Sequence, residues 1–299
     1  MFDQVVVVIS KTRLELLIER FNSKAQAKFY LERNGDDFSG IVNEHNLFYK
    51  SLDKLNKLLF NLDSYKVIDK SFLSNYIFTK KDLIIGLGQD GLIANIAKYV
   101  KGQPIVGFNP NPDIFDGVLL PYSTIDSREL GSFMAGDFNT KSVTMAKAIF
   151  TDGQELLAFN DFFIGPKTHT SARYTIHFNQ SIERQSSSGI IVSTGVGSTG
   201  WMSSVSNMVN GIGGNNISME IGSETNQLRF AVREPFKSQT STANICHGLI
   251  SNDNKLIVES NMLDNGQVFS DGIINDFIDF NIGQKVEISI SEKKALLVQ

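Results

Sequence analysis

Leu83-Ile84-Ile85-Gly86-Leu87-Gly88-Gln89-Asp90-Gly91-Leu92 is the stretch from which the fold can be read. An apolar run enters a glycine-rich turn, and beyond it Ile93, Ile96, Ala97 and Val100 recur at helical spacing. The pattern reads as strand, tight loop and helix. Glycines let a backbone come close to a ligand, and the N–H groups that open a helix can face an anion. Asp90 sits inside that loop. A carboxylate placed where phosphates would dock repels them unless a metal ion or a proton transfer gives it a task. One reading therefore makes Asp90 a general base beside a nucleotide phosphate site; the other makes it the cap of the helix that follows. The spacing Gly86-x-Gly88-x-x-Gly91 also fits a dinucleotide fingerprint, which decides nothing on its own.

On the N-terminal side, Val5 to Ile9 reads as a buried strand, and Leu14, Leu17, Ile18 and Phe21 mark one face of a helix. The stretch from Arg33 to Gly40 is a loop by composition, and Leu52, Leu55, Leu58, Leu59 and Leu62 form a second helical stripe. Val67-Ile68 and Pro104 to Phe108 are further strands. Strands at this rhythm, with helices between them, imply a parallel, doubly wound, Rossmann-like sheet. Ligands bind off the carboxyl ends of such strands, so the central loop and the turn Asn109-Pro110-Asn111-Pro112 should be neighbours. Near residue 140 the helical stripes give way to short alternating runs, at Glu155 to Phe159, Arg173 to Phe178, Gly189 to Ser193, Gln227 to Val232, Asn244 to Ile250, Lys255 to Glu259 and Lys285 to Ile290. Turn signals such as Ser270-Asp271-Gly272 punctuate them. The expected organisation is an α/β nucleotide-binding domain over 1–140 and a β-rich domain over 141–299, whose last residues are free to return to the first. Asn210 to Asn216, rich in glycine and asparagine, reads as a mobile loop.

The chain has 299 residues, 41% of them hydrophobic, enough for a full core in one large domain or two ordinary ones. A formal net charge of −4 gives no electrostatic case for a nucleic-acid or membrane-surface partner. Cys246 is the only cysteine, which excludes intramolecular disulfides and fits a reducing compartment. The four histidines show no paired metal-ligand spacing. No apolar run approaches the ~20 residues of a membrane span, and the expected location is the cytoplasm, or the mitochondrion if a leader has been removed.

Two more constellations lie in the β-rich half. Asn160-Asp161 follows the apolar Leu156-Leu157-Ala158-Phe159 and offers a carboxylate and an amide to a sugar hydroxyl or an amide, or simply forms a turn. Ser193-Thr194-Gly195-Val196-Gly197-Ser198-Thr199-Gly200-Trp201 concentrates three glycines, four hydroxyls and the only tryptophan after the strand Gly189 to Val192. Free N–H groups, hydroxyls and a flat ring suit a phosphate, ribose or base, although an ordinary loop leading into a helix has the same composition.

The three constellations, in this order, resemble the NAD kinase family, with its Gly-Gly-Asp-Gly-Thr loop, its Asn-Glu pair and its Ser-Thr-x-x-Gly-Ser-Thr-Ala-Tyr loop. The flanks are most similar to the mitochondrial-type branch, at Val5 to Val8, Tyr30-Leu31, Phe38-Ser39-Gly40, Val106 to Asn109, Gly117 to Pro121, Ser171 to Tyr174, Ser187-Ser188-Gly189 and Arg233-Glu234-Pro235. The resemblance covers nearly the whole chain. It implies a Rossmann-like domain and a β-rich domain with the cleft between them, an architecture shared with diacylglycerol kinases. It implies transfer of the γ-phosphoryl group of ATP to the adenosine 2′-hydroxyl of NAD, with Asp90 as the general base. By the same resemblance Gly88, Gln89 and Gly91 reach the phosphates, and Asn160 and Asp161 hold the NAD. Asn109, Arg173, Ser188, Gly197, Ser198, Thr199 and Trp201 join the nucleotide sites. Mg²⁺ travels with the ATP and needs no dedicated cage, and the assembly is a homodimer.

Departures from the family pattern are specific. Gln89 stands where the family has its second glycine, and a left-handed backbone there would cost about 1–2 kcal/mol. Leu92 replaces the motif threonine. Asp161 replaces a glutamate, and Ser188 stands where many bacterial members have an aspartate. Gln89 and Leu92 keep open a nucleotide binder without turnover; a related kinase acting on a lipid or another small molecule is the third alternative.

Overall fold

Four consecutive valines, Val5 to Val8, have no exposed surface in β1 (Gln4–Ile9), as a strand covered on both faces requires. The computed structural model in which they lie describes residues 1–299 apart from 61, 63, 215, 274 and 275. The chain divides into two compact units, Met1–Lys141 with Leu296–Gln299, and Ser142–Ala295.

In the first unit β1 is followed by α1 (Arg13–Phe21), α2 (Lys24–Arg33), α3 (Phe38–Leu59), β2 (Tyr65–Asp69), β3 (Asp82–Leu87), α4 (Asp90–Tyr99), β4 (Pro104–Phe108) and α5 (Ser127–Ala135). The strands are parallel in the order β2-β1-β3-β4, and Leu296 and Leu297 continue the sheet beside β4. Alternation along β3 sends Leu83, Ile85 and Leu87 to one face, where they pack with Phe48, Leu52, Leu55 and Leu59 of α3 and with Leu130 and Phe133 of α5. The other face meets α4: a methyl group on Gly86 would strike the side chains of Ile93 and Ile96. The sheet is therefore doubly wound. The loop expected over Arg33 to Gly40 is shorter than its composition implies. Asp37 accepts a hydrogen bond from the Ser39 N–H at 2.9 Å and starts α3 at Phe38.

The second unit carries β5 (Thr140–Phe150), whose first two residues belong to the first unit, then β6 (Glu155–Ala158), β7 (Asp161–Pro166), β8 (Ala172–Phe178), β9 (Ser181–Ser187), β10 (Ile190–Ser193), α6 (Trp201–Gly213), β11 (Leu228–Val232), β12 (His247–Ile250), β13 (Leu256–Ser260), β14 (Gly266–Ser270), β15 (Phe277–Asp279) and β16 (Lys285–Val298), whose last three residues belong to the first unit. One antiparallel sheet runs β12-β11-β10-β7-β14-β15. The other strands run β16-β13-β8-β9, with β5 beside β16 and β6. The two layers share one core, including Phe162, Tyr174, Ile190, Phe230, Val258 and Ile288. On the opposite face of β7, Phe163 packs with Met202 and Val205 of α6. α6 continues through Asn210 to Gly213, so the loop expected over 210–216 is helical up to Gly213, with Gly214 as its left-handed cap; the Asn210 side chain accepts from the Ile217 N–H at 2.8 Å and donates to the Ile217 carbonyl at 2.9 Å. Asn215, within that expected loop, lies outside the described residues.

Candidate functional site

The central loop is built by close packing, without backbone strain. Gln89 is the N-cap of α4, at φ −107° and ψ 165°, an extended conformation open to any residue. The left-handed backbone that would have penalised a side chain there is absent. Leu92 is buried and fills the space that Gly88 leaves: a methyl group on Gly88 would lie 3.0 Å from the Leu92 Cδ2. Gly91 faces open space.

Asp90 is the first residue of α4, and its carboxylate is turned away from its own helix. Oδ1 accepts from the Leu119 N–H at 2.9 Å, and Oδ2 from the Val118 N–H at 3.3 Å. The helix-cap reading of Asp90 is thereby replaced by a bond to a second loop, residues 109–122. Asn109 shapes that loop. Its side-chain amide donates to the Phe115 carbonyl at 2.9 Å, and its oxygen accepts from the Asn111 N–H at 3.0 Å. Gly117 turns the chain at φ +63°, and a methyl group on Gly107 would run into the Leu119 carbonyl oxygen. Asn109, expected to touch nucleotide, uses its side-chain oxygen and one amide hydrogen to position the loop that holds Asp90. The loop and the Asn109 turn do meet, since the Gly88 N–H donates to the Phe108 carbonyl at 3.1 Å. At the carboxyl ends of β1 and β3 a cavity of about 470 Å³ opens, with Lys11, Arg13, Glu44, Lys70, Gln89 and Asn111 in its walls.

In the second unit, Asn160 and Asp161 stand at the entry to β7. The backbone N–H groups of Phe159, Asn160 and Asp161 all donate to the Asp271 carboxylate, at 3.1, 2.6 and 3.2 Å. Asp271 holds a left-handed φ of 54°, and its own N–H returns a bond to the Asp161 carbonyl at 2.9 Å. Asp161 is 8% exposed, and burial, with the Asp271 charge second, pushes its carboxyl up to about 7. The Ser193–Trp201 loop packs directly on this corner. Thr194 donates from its hydroxyl to the Phe159 carbonyl at 2.6 Å and from its N–H to the Asn160 carbonyl at 2.9 Å. Gly197 lies so near the Asn160 carbonyl that a methyl group would collide with it.

Ser198 is fully buried, its hydroxyl directed at the Gly195 carbonyl at 2.7 Å, whereas Thr199 is exposed. The Trp201 ring stacks on Phe163 at 5.7 Å, and the Arg233 guanidinium lies 5.8 Å from its centroid. Ser188 joins this group through its N–H, which donates to the Arg233 carbonyl at 2.9 Å. Arg173 is exposed on β8 opposite Ser186 and makes no side-chain bond to the group among the described residues. Asn160, Asp161, Gly197 and Ser198 are therefore brought together, with Trp201 and Ser188 beside Arg233, and Arg173 stays apart.

No protein-family model matches the chain, and no curated protein matches it either. Solved structures do. An NAD kinase from Archaeoglobus fulgidus in complex with ATP superposes with a TM-score of 0.59 at 17% identity, over 99% of this chain and 93% of that one. The yeast NADH kinase complexed with NADH gives 0.60 at 14% identity, over 99% and 83%. The chain has the NAD kinase fold.

Within that NAD kinase fold, two features escaped the sequence reading. Asp271 showed itself only as the centre of a turn signal, Ser270-Asp271-Gly272, although it anchors the Asn160-Asp161 pair. The cations Lys11, Arg13 and Lys70 carried no motif; their signal was position, at or beyond the carboxyl ends of β1 and β2.

Proposed function

We propose that this chain is an NAD kinase, transferring the γ-phosphoryl group of ATP to the adenosine 2′-hydroxyl of NAD to give NADP. Asp90 carries the reading. Its carboxylate stands at the mouth of the glycine-rich loop, held by two N–H groups, and each oxygen keeps lone-pair capacity for a substrate hydroxyl. In the proposed step Asp90 takes the proton of the 2′-hydroxyl. The hydroxyl oxygen bonds to the γ-phosphorus as the bond to the bridging oxygen breaks, and ADP leaves. The fold shared with a kinase solved with ATP and another solved with NADH supports both ligands and leaves NADH as an acceptor beside NAD.

Asn160 and Asp161 are assigned to the NAD, with Gly197, Ser198, Thr199, Trp201, Ser188 and Arg173 in supporting contacts. The packing of Ser198 and Trp201 gives those two a shaping role. Glu44, the carboxylate in the cavity wall, would face a Mg²⁺ carried on the ATP phosphates, and the ion would supply charge neutralisation there; a single carboxylate fits an ion held mostly by phosphate and water. A homodimer completes the proposal.

The test is NADP formation by the purified protein from NAD and Mg-ATP, with NADH in parallel. Product from either acceptor supports the kinase. No product, with a melting temperature raised by NAD, supports instead the binder without turnover that Gln89 and Leu92 favour. If NAD neither reacts nor binds, the fold has outlived the substrate.

A further inference from the structure

A second cavity in the first unit has the opposite chemistry to the one around Gln89. It opens at the carboxyl ends of β3 and β4, on the face that packs against α3, and holds about 430 Å³, within the range of small-ligand sites. Leu87 and Phe108, the last residues of those strands, are buried in its floor. On α3, Ser51, Lys54, Leu55 and Leu58 follow at i, i+3, i+4 and i+7 and so share the face that lines it. Ile125, on the way into α5, completes an aliphatic lining. The Phe108 ring already stacks on Tyr122 at 5.8 Å, so one of its faces is covered. Leu58 and Ile125 are only half-buried, and the apolar surface they leave open to water is what an apolar ligand body would cover. The two cavities share no wall residue; they meet where the Ser51 hydroxyl donates to the Pro110 carbonyl at 3.3 Å.

The polar part of the lining is cationic. Lys54 and Lys57 belong to it, and among the described residues it holds no carboxylate. The acids adjacent in sequence are engaged elsewhere. Asp53 pairs with Lys57 at 2.7 Å, and Asp126 caps α5, accepting from the Arg128 and Glu129 N–H groups at 2.8 Å each. Lys54 is exposed and has no ion-pair partner among the described residues. Ser123 and Thr124, exposed in the same walls, have hydroxyls without a partner among the described residues. A free ammonium and two hydroxyls beside an aliphatic floor match a single anionic head on an apolar body. They do not match a phosphate chain, whose several charges need several cations.

We infer that this cavity binds a small amphiphilic carboxylate, whose aliphatic chain lies on Leu55, Leu58, Leu87 and Ile125 and whose head meets the Lys54 ammonium and the hydroxyls of Ser123 and Thr124. Branched aliphatic walls with one ring face already in use favour an alkyl chain over an aromatic body. Neither the nucleotides nor the Asp90 base of the proposed kinase takes part, so this site and that reading stand or fall separately.

Isothermal titration of the full chain with hexanoate, octanoate and decanoate, each below its micelle concentration, tests it. Affinity should rise roughly fourfold with each added methylene until the cavity is full. Octylammonium, the same body with the opposite charge, and acetate, the head alone, should bind far more weakly than octanoate. Lys54 is exposed, so Lys54→Glu leaves the core intact; it should weaken octanoate roughly fivefold, by removing an attraction and adding a repulsion. Leu58→Asn puts an amide in the path of the chain and should flatten the dependence on chain length, with the melting temperature checking that the variant folds. If it does not fold, Lys54→Glu and the homologous series carry the test. Octanoate that ignores the wild type, an affinity flat with chain length, or equal binding of octylammonium overturns the amphiphile. Octanoate that binds Lys54→Glu as tightly as the wild type overturns the location. NADP formation, present or absent, alters none of these outcomes.

Discussion

In the first unit the Asp90 carboxylate accepts from the backbone of a remote loop, at Val118 and Leu119; in the second, Asp271 accepts from three consecutive N–H groups at Phe159, Asn160 and Asp161. Both carboxylates fasten backbone to backbone. They differ in what remains afterwards. Asp90 is half-buried, with two donors spread over two oxygens, so it keeps capacity to meet a substrate. Asp271 is given over to the chain, and the charge it brings falls on its neighbour Asp161, which is buried and carries a raised pKa. The difference separates a carboxylate suited to chemistry from one suited to construction, and it can be broken by exchanging the groups one at a time.

The largest effect is expected at Asp90→Asn. An amide keeps the size and an acceptor oxygen but cannot take a proton. NADP formation should fall by roughly a hundred- to ten-thousand-fold, with NAD still raising the melting temperature. A loss of NAD binding equal to the loss of rate would make Asp90 a binding group and remove the contrast. At Asp271 the same comparison should read out as stability. Asp271→Ala leaves three donors without their acceptor and puts alanine at a left-handed φ of 54°, for a cost on the order of 3 kcal/mol in urea unfolding. Asp271→Asn should cost less, because asparagine tolerates that backbone and retains an acceptor.

Asp161 sharpens the contrast through pH. Its folded value of about 7 stands above its ordinary 3.8, so between those values the folded chain binds more protons than the unfolded one. The stability this group contributes is therefore whole below the lower value and is lost as pH rises through the upper one, at up to about 1.4 kcal/mol per pH unit. Unfolding midpoints of wild type and Asp161→Asn should diverge over that window, with the variant the flatter of the two. Parallel curves would mean that Asp161 is charged in the folded chain and that Asp271 imposes nothing on it.

How much of this was legible follows from where the information sits. The strand-loop-helix around Asp90 is local, and the apolar run and helical spacing announced it. So did the alternation in most strands of the second unit. The partners of Asp90 are backbone N–H groups at Val118 and Leu119, and no side chain advertises a backbone donor; what puts them in place is Gly107, where the absence of a side chain admits the Leu119 carbonyl. Asn109 was assigned to the nucleotide by the resemblance, and its part in shaping the loop, through the Phe115 carbonyl and the Asn111 N–H, shows only in the loop geometry. Asn210 to Gly213 looked like a loop because glycine and asparagine are poor helix formers; the helix begun at Trp201 nevertheless continues through them, with the Asn210 amide bonded to both backbone groups of Ile217.

The smallest effect is expected at Gln89→Gly, the change that would match the glycine of the NAD kinase pattern. If the loop needed a left-handed residue, glycine would relieve about 1–2 kcal/mol of strain. Gln89 instead sits at φ −107° with an exposed side chain and no capping bond, so there is nothing to relieve. The substitution should move stability by no more than about 0.5 kcal/mol in either direction, glycine being an acceptable N-cap. Because the side chain lies in the wall of the cavity with Lys11, Arg13 and Lys70, its removal should be felt, if anywhere, in the KM for ATP. A gain of a full kcal/mol in unfolding would return the strain to the loop and place the departure from the family motif in the backbone. Unchanged stability with an altered KM for ATP would place it in the cavity wall, where the side chain of residue 89 is exposed.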